Sequence, residues 1–146
     1  MKESREHIIE KLSGDGNLEE LKTIIGINHT QLEINIALEN ALAYSKVEIA
    51  EYLLSLGADI SNYDYQGVYY AVHNNEIEGL KFAIKNGVDI NLNGGQLINT
   101  SIITAYNEKD VSILKWLIKN GADTSLISIE TLNTFSNSEI KEIINS

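Results

Sequence analysis

The sequence predicts an all-α protein made of stacked helix pairs: three full repeats between an N-terminal and a C-terminal capping pair. Three observations predict it. The segments VEIAEYLLSLGADI (47–60), IEGLKFAIKNGVDI (77–90) and VSILKWLIKNGADT (111–124) align without gaps, and self-similarity at such spacing marks a repeat architecture. Each segment stops alike, at Gly57, Gly87 or Gly121 followed by Ala or Val and then Asp. Glycine just past the last turn takes the left-handed conformation that closes a helix. A shorter apolar-rich stretch precedes each segment, and Ala41, Ala71 and Ala105 share one column nine residues ahead of Ala50, Leu80 and Leu114.

In chain order, EHIIEKL (6–12) and LEELKTII (18–25) form the first capping pair, with Leu21, Ile24 and Ile25 on one face. IALENALAY (36–44) is the first helix of the first full unit, and the 47–60 segment its second helix. VYYAVHN (68–74) and SIITAYN (101–107) play the first-helix role in the next two units. In the second helices the matching columns are Val47/Ile77/Val111, Tyr52/Phe82/Trp116 and Leu54/Ile84/Ile118. These columns lie three or four residues apart, the spacing of one helix face. SIETLNTF (128–135) and EIKEII (139–144) close the chain as the second cap, through Ile140, Ile143 and Ile144. Stacked repeats need end units with a polar outer side. Ten helices in one domain follow, with caps at about 1–33 and 125–146.

Composition narrows the function. Hydrophobic residues make up 43% of 146, enough for a core. There is no cysteine, so disulfide and thiolate chemistry are excluded. The charged stretch MKESREHIIEKLSGDG does not read as a signal peptide. No run approaches the roughly 20 apolar residues that cross a bilayer. The expectation is a soluble, cytoplasmic protein. Its formal charge of −10 repels nucleic acid and anionic lipid and attracts basic proteins. The same charge also serves solubility.

Catalytic constellations are missing. His7, His29 and His73 fall in different units. His73 near Asp64 or Glu76 is a candidate acid–base pairing, beside the plainer reading of a solvated or partner-facing histidine. No cluster has metal-ligand spacing. GDGNLEE (14–20) fails as a calcium loop, because the sixth and twelfth positions from Asp15 are Glu20 and Gly26. NGGQ (93–96) lacks the lysine and hydroxyl of a phosphate loop. The reading is no enzyme, no metal and no cofactor.

The glycine–Ala/Val–Asp stops, the VEIAEYLL-type second helices and the period near 33 resemble the ankyrin-repeat family, most closely over 36–124. The resemblance implies an ankyrin-repeat solenoid with hairpin connectors and a concave face that binds protein. The chain departs from the family at the repeat starts. It has no proline, and only Thr100 remains of the family's threonine–proline–leucine–histidine turn. This implies softer repeat starts and, after Gly87, a distorted hairpin. Carried over by position, the resemblance puts Asn40 and Tyr44 on the concave side of the first unit. It puts Tyr70, His73 and Asn74 there in the second, and Asn107 and Glu108 in the third. Tyr63, Asp64 and Tyr65 fall at a hairpin tip. Of the seven tyrosines, Tyr63, Tyr65, Tyr70 and Tyr44 are contact candidates, and Tyr69, Tyr52 and Tyr106 are assigned to packing. Tyr65→Ala is expected to weaken binding with little effect on stability.

The resulting expectation is a protein-binding module that is monomeric when free. It would act as a stand-alone inhibitor or neutraliser of a basic partner, as a toxin immunity protein does. No nucleic acid or membrane partner is expected. The alternatives are an adaptor bridging two proteins and a small hydrolase using His73.

Overall fold

A computed structural model describes residues 3–146. Among them are ten α-helices and no strand. The helices are α1 (Arg5–Asp15), α2 (Leu18–Ile25), α3 (Gln31–Ala43), α4 (Val47–Ser55), α5 (Asn62–His73), α6 (Ile77–Lys85), α7 (Leu92–Glu108), α8 (Ser112–Lys119), α9 (Ile129–Thr134) and α10 (Ser138–Asn145). A single 3-10 turn, Thr124–Leu126, precedes α9. None of the described helices is long and apolar enough to cross a membrane.

Helix starts are set by short polar side chains. Ser4, Asn17, Ser128 and Asn137 each accept a backbone N–H from the first turn of α1, α2, α9 and α10. Thr30 and Glu33 form a reciprocal capping box, so α3 begins at Gln31, five residues before the expected start at Ile36. Helices α4, α6 and α8 have no such cap. Each follows a tight turn with one left-handed residue: Ser45, Asn75 or Lys109, at φ 57°, 60° and 55°. Gly57, Gly87 and Gly121 sit at φ 94°, 97° and 99°, so the stops read from the sequence are real.

Helix α1 packs on α3, α3 on α5 and α5 on α7, in chain order, and each also contacts the helix that follows it. The shared seam is apolar. Ala41, Ala71 and Ala105 are buried in it, as are Ala50, Leu80, Leu114, Leu53, Ala83 and Leu117. Ile140 closes one end of the core, and Ile9, Leu21 and Ile25 the other.

The connectors differ from expectation. In place of hairpins, Tyr63-Asp64-Tyr65 and Asn93-Gly94-Gly95 each make a left-handed turn that leads straight into the helix. Short side-chain turns lie just upstream. The Asp59 carboxylate accepts both the Ser61 N–H (2.9 Å) and its hydroxyl (2.7 Å). Asp89 likewise accepts the Asn91 N–H at 2.9 Å.

The repeat starts are also less soft than the missing proline and histidine imply. Asn35 Oδ1 accepts the Asp59 N–H (2.7 Å) and the Gln31 amide (2.9 Å), and Gln31 also donates to the Gly57 carbonyl (2.9 Å). Farther along, Asn91 accepts the Asp123 N–H and Asn99 the Ser128 N–H, both at 2.8 Å. Among the described residues no buried side-chain nitrogen or oxygen lacks a partner.

Candidate functional site

The outward flank of α1, α3, α5 and α7 carries three adjoining depressions. Their local construction starts with a close approach. A Cβ on Gly67 would lie 2.8 Å from Glu39 Cα, so the absence of a side chain lets α5 seat directly on α3. That contact brings Tyr63 and Tyr70 over Glu39. Asn62 holds Glu39 in place, its amide donating to Oε1 at 2.8 Å.

The first depression, of about 290 Å³, is lined by Glu6 and Glu10 from α1, by Ile36, Glu39, Asn40 and Ala43 from α3, and by Tyr63, Gln66 and Tyr70. The second, of about 220 Å³, shares Tyr63, Gln66 and Tyr70 and adds Asp64, Tyr69 and Gln96. The third, of about 390 Å³, is lined by Tyr44, His73, Asn74, Glu76, Ile103, Thr104, Asn107 and Glu108. An aromatic run joins them. The Tyr69 and Tyr70 rings meet edge-on at 5.3 Å, and Tyr69 stacks on His73 at 5.7 Å. Six carboxylates line the three depressions, and no Lys or Arg does.

Nine of the ten residues expected to contact a partner therefore lie on this flank: Asn40, Tyr44, Tyr63, Asp64, Tyr70, His73, Asn74, Asn107 and Glu108. Tyr63 is 59% exposed, Tyr44 49% and Tyr70 39%. Asn40 and Asn74 also brace the fold, donating to the Ile36 and Ala43 carbonyls at 3.0 Å each. Tyr65 is different: it is half-buried against the hydrophobic core and lines none of the three depressions. The left-handed turn swings its ring inward, where a hairpin tip would have held it out. The tyrosines assigned to packing also divide. Tyr52 packs on the core beneath Lys22 Nζ, 5.4 Å from the ring centroid. Tyr69 reaches the surface run. Tyr106 is exposed but rests edge-on against Phe135 at 6.0 Å.

Sequence reasoning did not place Glu6, Glu10 or Glu39 at this face, and named Glu76 only as an acid–base partner for His73. The signal was present: Ile36, Glu39, Asn40 and Ala43 follow the spacing of one helix face, as do Glu6 and Glu10. Treating α1 only as a cap hid the second pair.

The electrostatics are uneven. Burial, aided by the nearby Glu10 charge, raises the Glu39 carboxyl above the usual range, against the opposing hydrogen bond from Asn62. Elsewhere carboxyls are lowered. Asp110 is held down by the Ser112 hydroxyl, the Asn75 amide and the Ser112 N–H. Glu33 is held down mainly by Arg5, whose Nε donates to it at 2.6 Å across α1 and α3. His73 forms no ion pair with a carboxylate among the described residues. The described residues also contain no group of three His, Asp or Glu able to hold a metal ion. The flank can offer aromatic faces, amide groups and fixed negative charge.

No protein-family model matches the chain, and no curated protein matches it.

Proposed function

We propose that this chain is an ankyrin-type helical-repeat solenoid that binds another protein on the flank of its first helices and thereby inhibits or neutralises it. The partner is basic. A secreted toxin countered by its immunity protein is one instance of this chemistry. The observation that carries the reading is the make-up of that flank. Helices α3, α5 and α7 contain no Lys or Arg at all, and their depressions gather Tyr44, Tyr63 and Tyr70 with six carboxylates. Tyrosine gives a rigid ring and a hydroxyl at low entropic cost, which suits the centre of an interface. The surrounding acidity speeds encounter with a basic surface.

The test starts with affinity capture from native lysate at low and high salt, and identification of the retained protein. That protein is then purified and titrated with wild type and with a Tyr63→Ala/Tyr70→Ala double variant. The expected result is one-to-one binding that weakens with salt and falls roughly a hundredfold in the variant, about 3 kcal/mol. Equal affinity for wild type and variant would refute the reading, as would retention of no basic protein.

The adaptor reading keeps one observation of its own. A depression of about 330 Å³ between α8 and α10 is lined by Lys115, Ile118, Lys119, Ile143 and Ser146, opposite in charge to the acidic flank. Light scattering of the purified complex separates a one-to-one assembly from a ternary one.

A further inference from the structure

Within that docking reading, on which this step rests, we infer that the depression between α1, α3 and α5 is the anchor of the face and receives one arginine side chain of the partner. The guanidinium would lie against Glu10 and Glu39, with its plane and stem on Tyr63 and Tyr70. Four features support this occupant.

The first is charge complementarity. Glu6, Glu10 and Glu39 line one small space, and no described Lys, Arg or His pairs with any of them. By contrast, Glu33, on the same helix as Glu39, already has Arg5 as its partner. The three carboxylates of the depression therefore have no ion-pair partner among the described residues.

The second is the walls. Two tyrosine rings border the space, and a guanidinium stacks on aromatic faces more readily than a compact ammonium does.

The third is spacing. Although three carboxylates share the space, no three acidic or histidine groups among the described residues converge as metal ligands do. A planar cation with five N–H donors can reach separate acceptors, whereas a metal ion needs them at one point.

The fourth is preorganisation. Asn62 fixes one Glu39 oxygen at 2.8 Å, and Gly67 fixes the height of α5 above it. Burial and Glu10 already disfavour the Glu39 charge in the free protein, so an arriving cation relieves a strain that the fold imposes.

The experiment uses the full chain, isotopically labelled, and three capped tripeptides: tri-arginine, tri-lysine and tri-citrulline. Backbone amide shifts are followed by NMR. Tri-arginine should shift Glu10, Glu39, Asn40, Tyr63 and Tyr70 ahead of the rest of the acidic flank. Tri-lysine should bind more weakly, and tri-citrulline, with the same shape but no charge, should not bind. A Glu10→Gln/Glu39→Gln double variant should lose tri-arginine affinity roughly tenfold. Its fold should persist, because a glutamine oxygen at 39 still accepts from Asn62; an unchanged spectrum elsewhere checks this.

Shifts spread evenly over the acidic flank would overturn the anchor. So would unaltered affinity in the double variant, and equal binding of tri-lysine would overturn the choice of arginine. The two readings fail separately. A partner weakened by Tyr44→Ala but indifferent to the glutamine variant leaves protein binding intact and removes the anchor. Tri-arginine binding in this depression with no protein partner does the reverse.

Discussion

Replacing Gly67 by alanine tests the contact that builds the acidic flank. Helix propensity alone favours the change by about 0.5–1 kcal/mol, because alanine loses less backbone freedom on folding. Packing opposes it. The new Cβ would sit 2.8 Å from Glu39 Cα and 3.2 Å from Leu42 Cδ1, whereas carbons rest at about 3.5–4.0 Å. Helix α5 must therefore rise from α3 by roughly 0.7–1.2 Å, or backbone must distort. Overpacking of this kind costs about 1–3 kcal/mol. The neighbouring atom is backbone, not the end of a flexible side chain, which places the cost in the upper part of that range. The expected net effect is a loss of about 1–2 kcal/mol, read as a Tm drop of roughly 3–6 °C and a lower urea midpoint. The same displacement lifts Tyr63 and Tyr70 from Glu39, so tri-arginine affinity should fall as well. A Gly67→Ala protein as stable as wild type, or more so, would show that α5 is not seated on α3 as described.

Leu53→Ala and Leu117→Ala each empty a fully buried site and should cost about 2–5 kcal/mol in urea titration. Tyr65→Ala should cost about 1 kcal/mol, reflecting half-burial on the core, and should leave partner affinity unmoved. Glu39→Gln should raise stability near neutral pH. A carboxyl raised in the folded state stabilises below its unfolded value, and that contribution is lost as pH rises through the raised value. The variant's advantage over wild type should vanish in acid, when Glu39 is protonated. Asp110→Asn should behave in the opposite way. A carboxyl lowered in the folded state stabilises above the ordinary carboxylate range and loses that as pH falls through its lowered value. The variant should be weaker than wild type at neutral pH and converge with it in acid. Urea midpoints measured across the acid range check both signs.

The second helices were legible because their signal is local and repeated. Apolar columns at helical spacing and a glycine stop need no tertiary information, and all three stops adopt the left-handed conformation. The start of α3 was legible too, through Thr30 and Glu33, but the apolar pattern drew attention to Ile36 instead. The connectors were not legible. Whether Tyr63 and Tyr65 point out or in depends on the left-handed backbone at 63–65, and their side-chain types do not reveal it. Tyr65 was misplaced for that reason. Glu6, Glu10 and Glu39 belong to two helices, α1 and α3, with α2 between them in the chain. Their meeting is a product of α1 packing on α3, and pattern within one segment does not predict it.

The distribution of charge separates two explanations of the acidity. Solubility requires a net charge and is indifferent to where it lies. Here six carboxylates and no Lys or Arg line the three depressions. Helices α3, α4, α5 and α7 have no Lys or Arg, whereas α1 carries Arg5 and Lys11, and α6 and α8 carry Lys81, Lys85, Lys115 and Lys119. Acidic residues occur on both sets, with Glu48 and Glu51 on α4 and Glu78 on α6. What marks the three depressions is that their linings hold no Lys or Arg and include the exposed Tyr44, Tyr63 and Tyr70. At Glu39 that absence of positive charge carries a cost, since burial and Glu10 both oppose its ionisation. A lysine near it would remove that cost in the free protein and would also occupy the space a partner's cation needs. Under the proposed binding role, that space is the one the partner's cation would take.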